Sequence, residues 1–141
     1  MRKILLSLLI CTFALLSFQV AEAKTTSYDK YGKKTGSYKT SGNTTTKYNK
    51  YGQKEATYKK NGSTTTSYDK SGRKTGSYRT YGSTTTSYDK NGRKTGSYRT
   101  SGNTTTSYDK SGRKTGSFKK NSNGTVTEYD KYGRKVGTYK K

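Results

Sequence analysis

The chain divides into two patterns of apolar and polar positions. Ile4 to Leu16 is an almost unbroken apolar run behind the basic start Met1-Arg2-Lys3, and Ala21-Glu22-Ala23 follows as a small-x-small site. That order is the layout of a secretory signal peptide, with cleavage expected after Ala23. The run is shorter than the ~20 residues a spanning helix needs, so no transmembrane span is expected once the leader is removed. The expected domains are thus 1-23, a signal peptide with its signal helix, and 24-141, a repeat region.

Beyond Ala23 the apolar pattern becomes a ruler. Tyr28, Tyr38, Tyr48, Tyr58, Tyr68, Tyr78, Tyr88, Tyr98 and Tyr108 stand ten residues apart, and Phe118 takes the next place. One extra residue in Asn121-Ser122-Asn123-Gly124 moves the last two to Tyr129 and Tyr139. A glycine follows each early tyrosine four residues later, and two flavours alternate: G-R-K-T-G-S-Y, as at 72–78, and G-S-T-T-T-S-Y, as at 82–88. Fixed self-similarity of this kind marks a repeat array.

Each unit reads as one strand and one turn. Thr and Tyr are enriched in strands, and the missing proline leaves every backbone N–H available to a ladder. Asp69-Lys70-Ser71-Gly72 and Arg79-Thr80-Tyr81-Gly82 both read as type I turns ending in a left-handed glycine, the three-residue hairpin loop. The expected fold is all-β, an antiparallel meander of about eleven short strands. If Asp69 lies across from Arg73, then Tyr68 faces Lys74 and Ser67 faces Thr75. That register puts Tyr68, Tyr78, Tyr88, Tyr98 and Tyr108 in one aromatic row on one face.

Composition sets what such a sheet can pack around. Removing the leader takes every Leu and Ile, the only Cys and the only Met, and all but one unit of the formal +22 charge stays behind. Low hydrophobicity with high charge is the signature of disorder, whereas the 15 Tyr argue for order. Cross-strand pairs contribute only roughly 0.2–1 kcal/mol each, against about 1–2 kcal/mol of backbone entropy per residue. The sheet is therefore expected to be marginal, or partly disordered, unless a second copy, a ligand or its own curling covers the tyrosine face.

The same composition excludes much chemistry. Without Cys or His after the leader there is no thiolate, no imidazole base and no usual zinc ligand. Asp69, Asp89, Asp109 and Asp130 read as turn formers, and calcium would need several converging oxygens. Ser and Thr abound with no base to activate them. No catalytic residue, cofactor or metal is expected.

The cations are more informative. A charge excess often does no more than solvate a face, but this one exceeds what solubility requires. The period puts Arg73, Arg93, Arg113 and Arg134 in a row, with Lys74, Lys94, Lys114 and Lys135 beside them. A cationic, aromatic-bearing sheet suits polyanions: charge supplies affinity and Tyr stacks on sugar or base. An exported protein would meet anionic polysaccharide, lipopolysaccharide, a phospholipid or envelope surface, or extracellular DNA; nothing supports sequence-specific reading of nucleic acid. The alternative is self-association into a structural matrix of envelope or biofilm through open strand edges, opposed by charge repulsion. Oxidative tyrosine cross-linking and ice binding by Thr rows are weaker readings. The sequons at Asn43, Asn61, Asn103 and Asn123 carry little weight beside a bacterial leader.

"GSTTTSYDKNGRKTG" (82–96) and "GNTTTSYDKSGRKTG" (102–116) resemble the YD repeats of bacterial Rhs-type proteins. Tyr68-Asp69, Tyr88-Asp89, Tyr108-Asp109 and Tyr129-Asp130 carry the eponymous pair, and Gly-Arg follows at the family spacing. The resemblance covers nearly all of 24-141. It implies a secreted or surface β-hairpin array, carbohydrate-binding in some members and shell-building in others; with the leader, the expected location is secreted, periplasmic or cell-surface. Lys74, Lys94, Lys114 and Lys135 stand where the family has an apolar residue; Asn49 and Gln53 degrade an early unit, and no toxin domain follows. Choline-binding wall repeats are a fainter likeness, since they depend on Trp.

Overall fold

The computed structural model describes residues 23–141, so the expected signal peptide and its helix lie, but for Ala23, outside the described residues. Twelve strands follow one another: β1 (Ala23–Asp29), β2 (Lys34–Ser41), β3 (Thr44–Asn49), β4 (Lys54–Asn61), β5 (Thr64–Asp69), β6 (Lys74–Tyr81), β7 (Thr84–Asp89), β8 (Lys94–Ser101), β9 (Thr104–Asp109), β10 (Lys114–Lys120), β11 (Val126–Asp130) and β12 (Lys135–Lys140). Each pairs antiparallel with its neighbours in sequence, and β1 pairs with β12 through Thr26↔Lys140, Ser27↔Tyr139, Tyr28↔Thr138 and Asp29↔Gly137. The meander is thus a closed barrel. Of the three covers expected for the tyrosine face, the sheet supplies one itself by curling, and closure also removes its edges.

Two turn types alternate, where one was expected. The loops opening on Asp or Asn are the three-residue kind: Asp69 N–H donates to the Arg73 carbonyl at 2.9 Å, Gly72 N–H donates to the Asp69 carbonyl at 3.1 Å, and Gly72 has φ +81°. The loops between β2 and β3, β4 and β5, β6 and β7, and β8 and β9 are two-residue turns instead. Tyr81 pairs directly with Thr84, Gly82 has φ +56°, and Ser83 does not have positive φ. A positive φ at the first central residue alone is the II′ pattern. The three-residue reading of Arg79-Thr80-Tyr81-Gly82 is therefore corrected. The extra residue in Asn121–Gly124 turns the corresponding β10–β11 connection into a three-residue loop, with Asn121 N–H donating to the Thr125 carbonyl at 2.8 Å. The turn absorbs the insertion, and the strands on either side keep their faces.

The expected single aromatic row is also corrected. Tyr68 does face Lys74, but Ser67 pairs with Gly76, because Thr75 is an extra residue bulged out of the β5–β6 register. A bulge of one residue moves everything beyond it to the opposite face. Tyr78 then pairs with Thr65 and points inward, whereas Tyr68 points outward. The shift recurs in the five other hairpins that open on the longer loops, β1–β2, β3–β4, β7–β8, β9–β10 and β11–β12, while the intervening pairs keep a continuous register.

The interior is consequently a ring of six aromatics, one from each even strand: Tyr38, Tyr58, Tyr78, Tyr98, Phe118 and Tyr139, all buried. Thr25, Thr45, Thr65 and Thr85 lie opposite the first four, and Val126 is opposite Tyr139. A twelve-stranded barrel is wider than the eight-stranded ones that ordinary side chains just fill, so long rings suit its lumen. Burying each contributes roughly 1.5–3 kcal/mol. Glycine at 36, 76, 96 and 137 lets the strands meet beside these rings; a Cβ at Gly76 would lie 2.5 Å from the Tyr88 carbonyl oxygen.

Candidate functional site: the cationic mouth of the barrel

In an antiparallel meander, alternate connections emerge at the same end. The six loops joining β1–β2, β3–β4, β5–β6, β7–β8, β9–β10 and β11–β12 therefore share one end of the barrel. Each contributes two or three Lys or Arg and at most one Asp. The opposite end has the uncharged turns Gly42-Asn43, Gly62-Ser63, Gly82-Ser83 and Gly102-Asn103, and its cations are fewer: Lys60 and Lys120 beside turns, and Lys24, Lys140 and Lys141 at the outer ends of β1 and β12. Arg73, Lys74, Arg93, Lys94, Arg113, Lys114, Arg134 and Lys135 all lie exposed at the cationic end. The topology gathers them into a rim, where a flat meander would have laid them out as rows.

The acids of this rim hold its loops in place. Asp69 Oδ1 accepts from the N–H groups of Ser71 and Arg73, each at 2.9 Å, and Oδ2 accepts from Arg73 Nε at 2.9 Å. Asp130 does the same with Tyr132, Arg134 and Arg134 Nε, the last at 2.7 Å. The Arg73 backbone N–H holds the Asp69 carboxyl below the usual carboxylate range, helped by the Arg73 side chain and the Ser71 N–H; the Arg134 and Tyr132 groups act likewise on Asp130. Asn49 replaces Asp in the β3–β4 loop and accepts from Tyr51 and Gln53 N–H in the same way. Among the described residues, no three acidic side chains converge as metal ligands.

Inside the mouth lies a collar of side-chain pairs. Thr35, Thr75, Thr95 and Thr115, the bulged residues, each donate through Oγ1 to Ser27, Ser67, Ser87 and Ser107 respectively, at 2.9 Å. The collar changes character in two stretches, one on either side of the β1–β2 hairpin. Lys47 and Glu55 take the Ser and Thr places in β3–β4 and form an ion pair at 2.6 Å, and in β11–β12 Glu128 accepts from the Tyr139 hydroxyl at 2.7 Å. A cavity of ≈ 890 Å³ opens at this end, with Tyr58 and Tyr78 deep in it, hydroxyls of Ser67, Thr75 and Thr95 in its wall, and Lys54, Lys70 and Arg73 around it.

The aromatic residues predicted as a row are divided between the two sides of the wall. Tyr78 and Tyr98 are core; Tyr68, Tyr88 and Tyr108 are half-buried on the outside, next to Lys74, Lys94 and Lys114 across the ladder. Lys59 stands 5.7 Å from the Tyr68 ring centre and Arg79 5.8 Å from that of Tyr88. The outer wall thus bears cations at mid-strand, unlike the apolar band of a barrel that crosses a bilayer, where Lys or Arg costs about 2–4 kcal/mol at the midplane. No helix among the described residues is long and apolar enough to cross a membrane.

The sequence reading overlooked the turn-tip residues. Tyr31, Tyr51 and Tyr132 are 75%, 75% and 70% exposed at the cationic rim, which makes them the most accessible aromatic surface there. The signal was the third letter of D-K-Y-G and N-K-Y-G against D-K-S-G and D-K-N-G. No known family model matches the chain, and no curated protein matches it either. The repetitive strand pattern does not by itself name a YD-repeat family.

Proposed function

We propose that this is an exported, non-enzymatic barrel that binds anionic polymers or surfaces through its cationic mouth. One observation carries the reading: six loops from all round the barrel deliver their Lys and Arg to a single end, while the turns of the other end are uncharged. A rim of one sign concentrates field and attracts polyanions over a distance, in a salt-dependent way. The loop carboxylates support binding over catalysis, since Asp69 and Asp130 are engaged by turn N–H groups and by Arg. Barrel closure weighs against the matrix alternative, because lateral strand addition needs an open edge. The exported setting rests on the leader-like residues before Lys24.

Heparin chromatography of the purified protein tests the reading. Wild type should be retained and should elute with added salt. The sixfold change of Arg73, Lys74, Arg93, Lys94, Arg113 and Lys114 to Gln should elute at distinctly lower salt, with the circular dichroism spectrum unchanged. Changing the wall cations Lys59 and Arg79 to Gln should matter less. Equal elution of wild type and the rim variant would remove the mouth as the binding site.

A further inference from the structure

The rim is not uniform around its circumference. Because β12 pairs with β1 and β2 with β3, the loops β11–β12, β1–β2 and β3–β4 are consecutive. These three carry Tyr132, Tyr31 and Tyr51 at their tips, and the other three carry Ser71, Asn91 and Ser111. The turn does not need the ring: Tyr31 N–H donates to Asp29 Oδ1 at 2.9 Å just as Ser71 N–H donates to Asp69 Oδ1. Nor does the core use it, since all three rings are at least 70% exposed. Each instead lies under the ammonium of its own loop, with Lys30, Lys50 and Lys131 4.8 Å from the respective ring centres and Arg134 5.1 Å from that of Tyr132.

We infer that this arc is a binding site for a linear anionic polysaccharide, with Tyr132, Tyr31 and Tyr51 as successive stacking platforms. This rests on the proposed polyanion-binding mouth and specifies its ligand. Neighbouring hairpins are two strands apart, so the platforms recur about every 9–10 Å along the rim. Each presents a ring with a cation over its face. The complementary chain has flat C–H faces and an anionic group recurring about once per two sugars, so that one disaccharide spans one hairpin. A single nucleic acid strand fits this spacing less well: stacked bases repeat at about 3.4 Å and bear a phosphate on every unit. Tyr81, 92% exposed at the opposite end, has no sibling on its rim and serves as an internal control.

The test measures binding of the full protein to hyaluronan, whose carboxylates fall on alternate sugars, to an oligo-dT strand, and to uncharged dextran. Tyr31→Ser/Tyr51→Ser/Tyr132→Ser is the informative variant, since Ser71 and Ser111 already occupy the same turn position. Wild type should bind hyaluronan and not dextran. The triple variant should lose roughly tenfold or more in hyaluronan affinity while keeping its oligo-dT affinity, and Tyr81→Ser should match wild type. Unchanged hyaluronan affinity in the triple variant overturns the arc and leaves the cationic mouth standing, as does wild type held by heparin but not by hyaluronan. Equal losses for hyaluronan and oligo-dT overturn the choice of polysaccharide, and dextran binding overturns the need for charge. Absence of binding to any polyanion, heparin included, removes both readings together.

Discussion

Tyr88 and Tyr98 are the same residue one ruler-length apart, each preceded by Ser, yet they lie on opposite sides of the wall. Tyr98 is buried in the aromatic ring, and Tyr88 is half-exposed with Arg79 over its face and Lys94 across the ladder. Neither letter nor spacing distinguishes them; the extra residue Thr95, bulged opposite the Ser87/Tyr88 step, does. A repeat with one bulge per hairpin divides identical side chains between core and surface. It thereby obtains a hydrophobic interior and a stacking exterior from one decapeptide.

Removing the bulge should break the comparison outright. Deleting Thr95 makes Tyr98 share a face with Tyr88, which exposes one core ring and disturbs closure on both sides of β8. The near-UV circular dichroism of the ring should collapse and the melting temperature should fall further than for any single side-chain truncation. Thr95→Ser, which keeps the bulge, should change little. A deletion variant that melts beside wild type with an intact near-UV spectrum would show that the bulge does not set the faces.

Truncating the two rings comes next in size. Tyr98→Ala should cost about 3–5 kcal/mol by chemical denaturation, as large aromatic truncations in cores do. Tyr88→Ala should cost about 1 kcal/mol or less, the scale of a cross-strand contact. Similar losses at both positions would mean that the outer rings carry the fold as much as the inner ones.

Much of this was legible in the letters, up to the point where faces are assigned. The strand and turn alternation, the Asp-x-x-Gly loops and the absence of an aliphatic core follow from turn chemistry and composition. The number of strands came out one short, and the Gly-Ser turns were merged with the Asp loops, although they lack the Asp whose carboxylate organises the longer turn. The bulge left a trace as well: Gly76 and Gly96 sit in mid-strand, where glycine often marks a bulge or a close backbone approach. Ala56 in the equivalent place of β4 obscures that signal. Closure was legible only as one of three possible covers, because choosing it depends on β1 meeting β12 across the whole sequence. The rim, and the position of Arg73, Arg93 and Arg113 on it, becomes visible only after closure.

Alkaline titration sharpens the contrast further. Burial, with Glu128 adding to it, pushes the Tyr139 phenol well above its ordinary value of 10.0; burial followed by the Tyr58, Glu55 and Glu128 charges does the same to Tyr38. A phenol raised in the folded state contributes stability that is complete below its unfolded value and is lost as pH climbs beyond it. The barrel should therefore lose stability as pH rises past about 10, with phenolate absorbance from the core appearing only as it unfolds. Tyr38→Phe/Tyr139→Phe should flatten part of that slope. A melting temperature constant across this rise would contradict the buried, neutral ring.

The smallest effect should have the opposite sign. The Tyr38 hydroxyl is buried without a hydrogen-bond partner, although its ring is 4% exposed and well packed. An unsatisfied buried polar group costs about 1–3 kcal/mol. Phe118 shows that the ring of six accepts a member with no hydroxyl. Tyr38→Phe should therefore hold or raise stability, by about 1 kcal/mol at most, whereas Tyr139→Phe, which surrenders the bond to Glu128, should lower it. Denaturant midpoints of the two variants decide the matter: if Tyr38→Phe proves the more damaging, its hydroxyl has a partner in the lumen and the interior is more polar than a ring of packed aromatics.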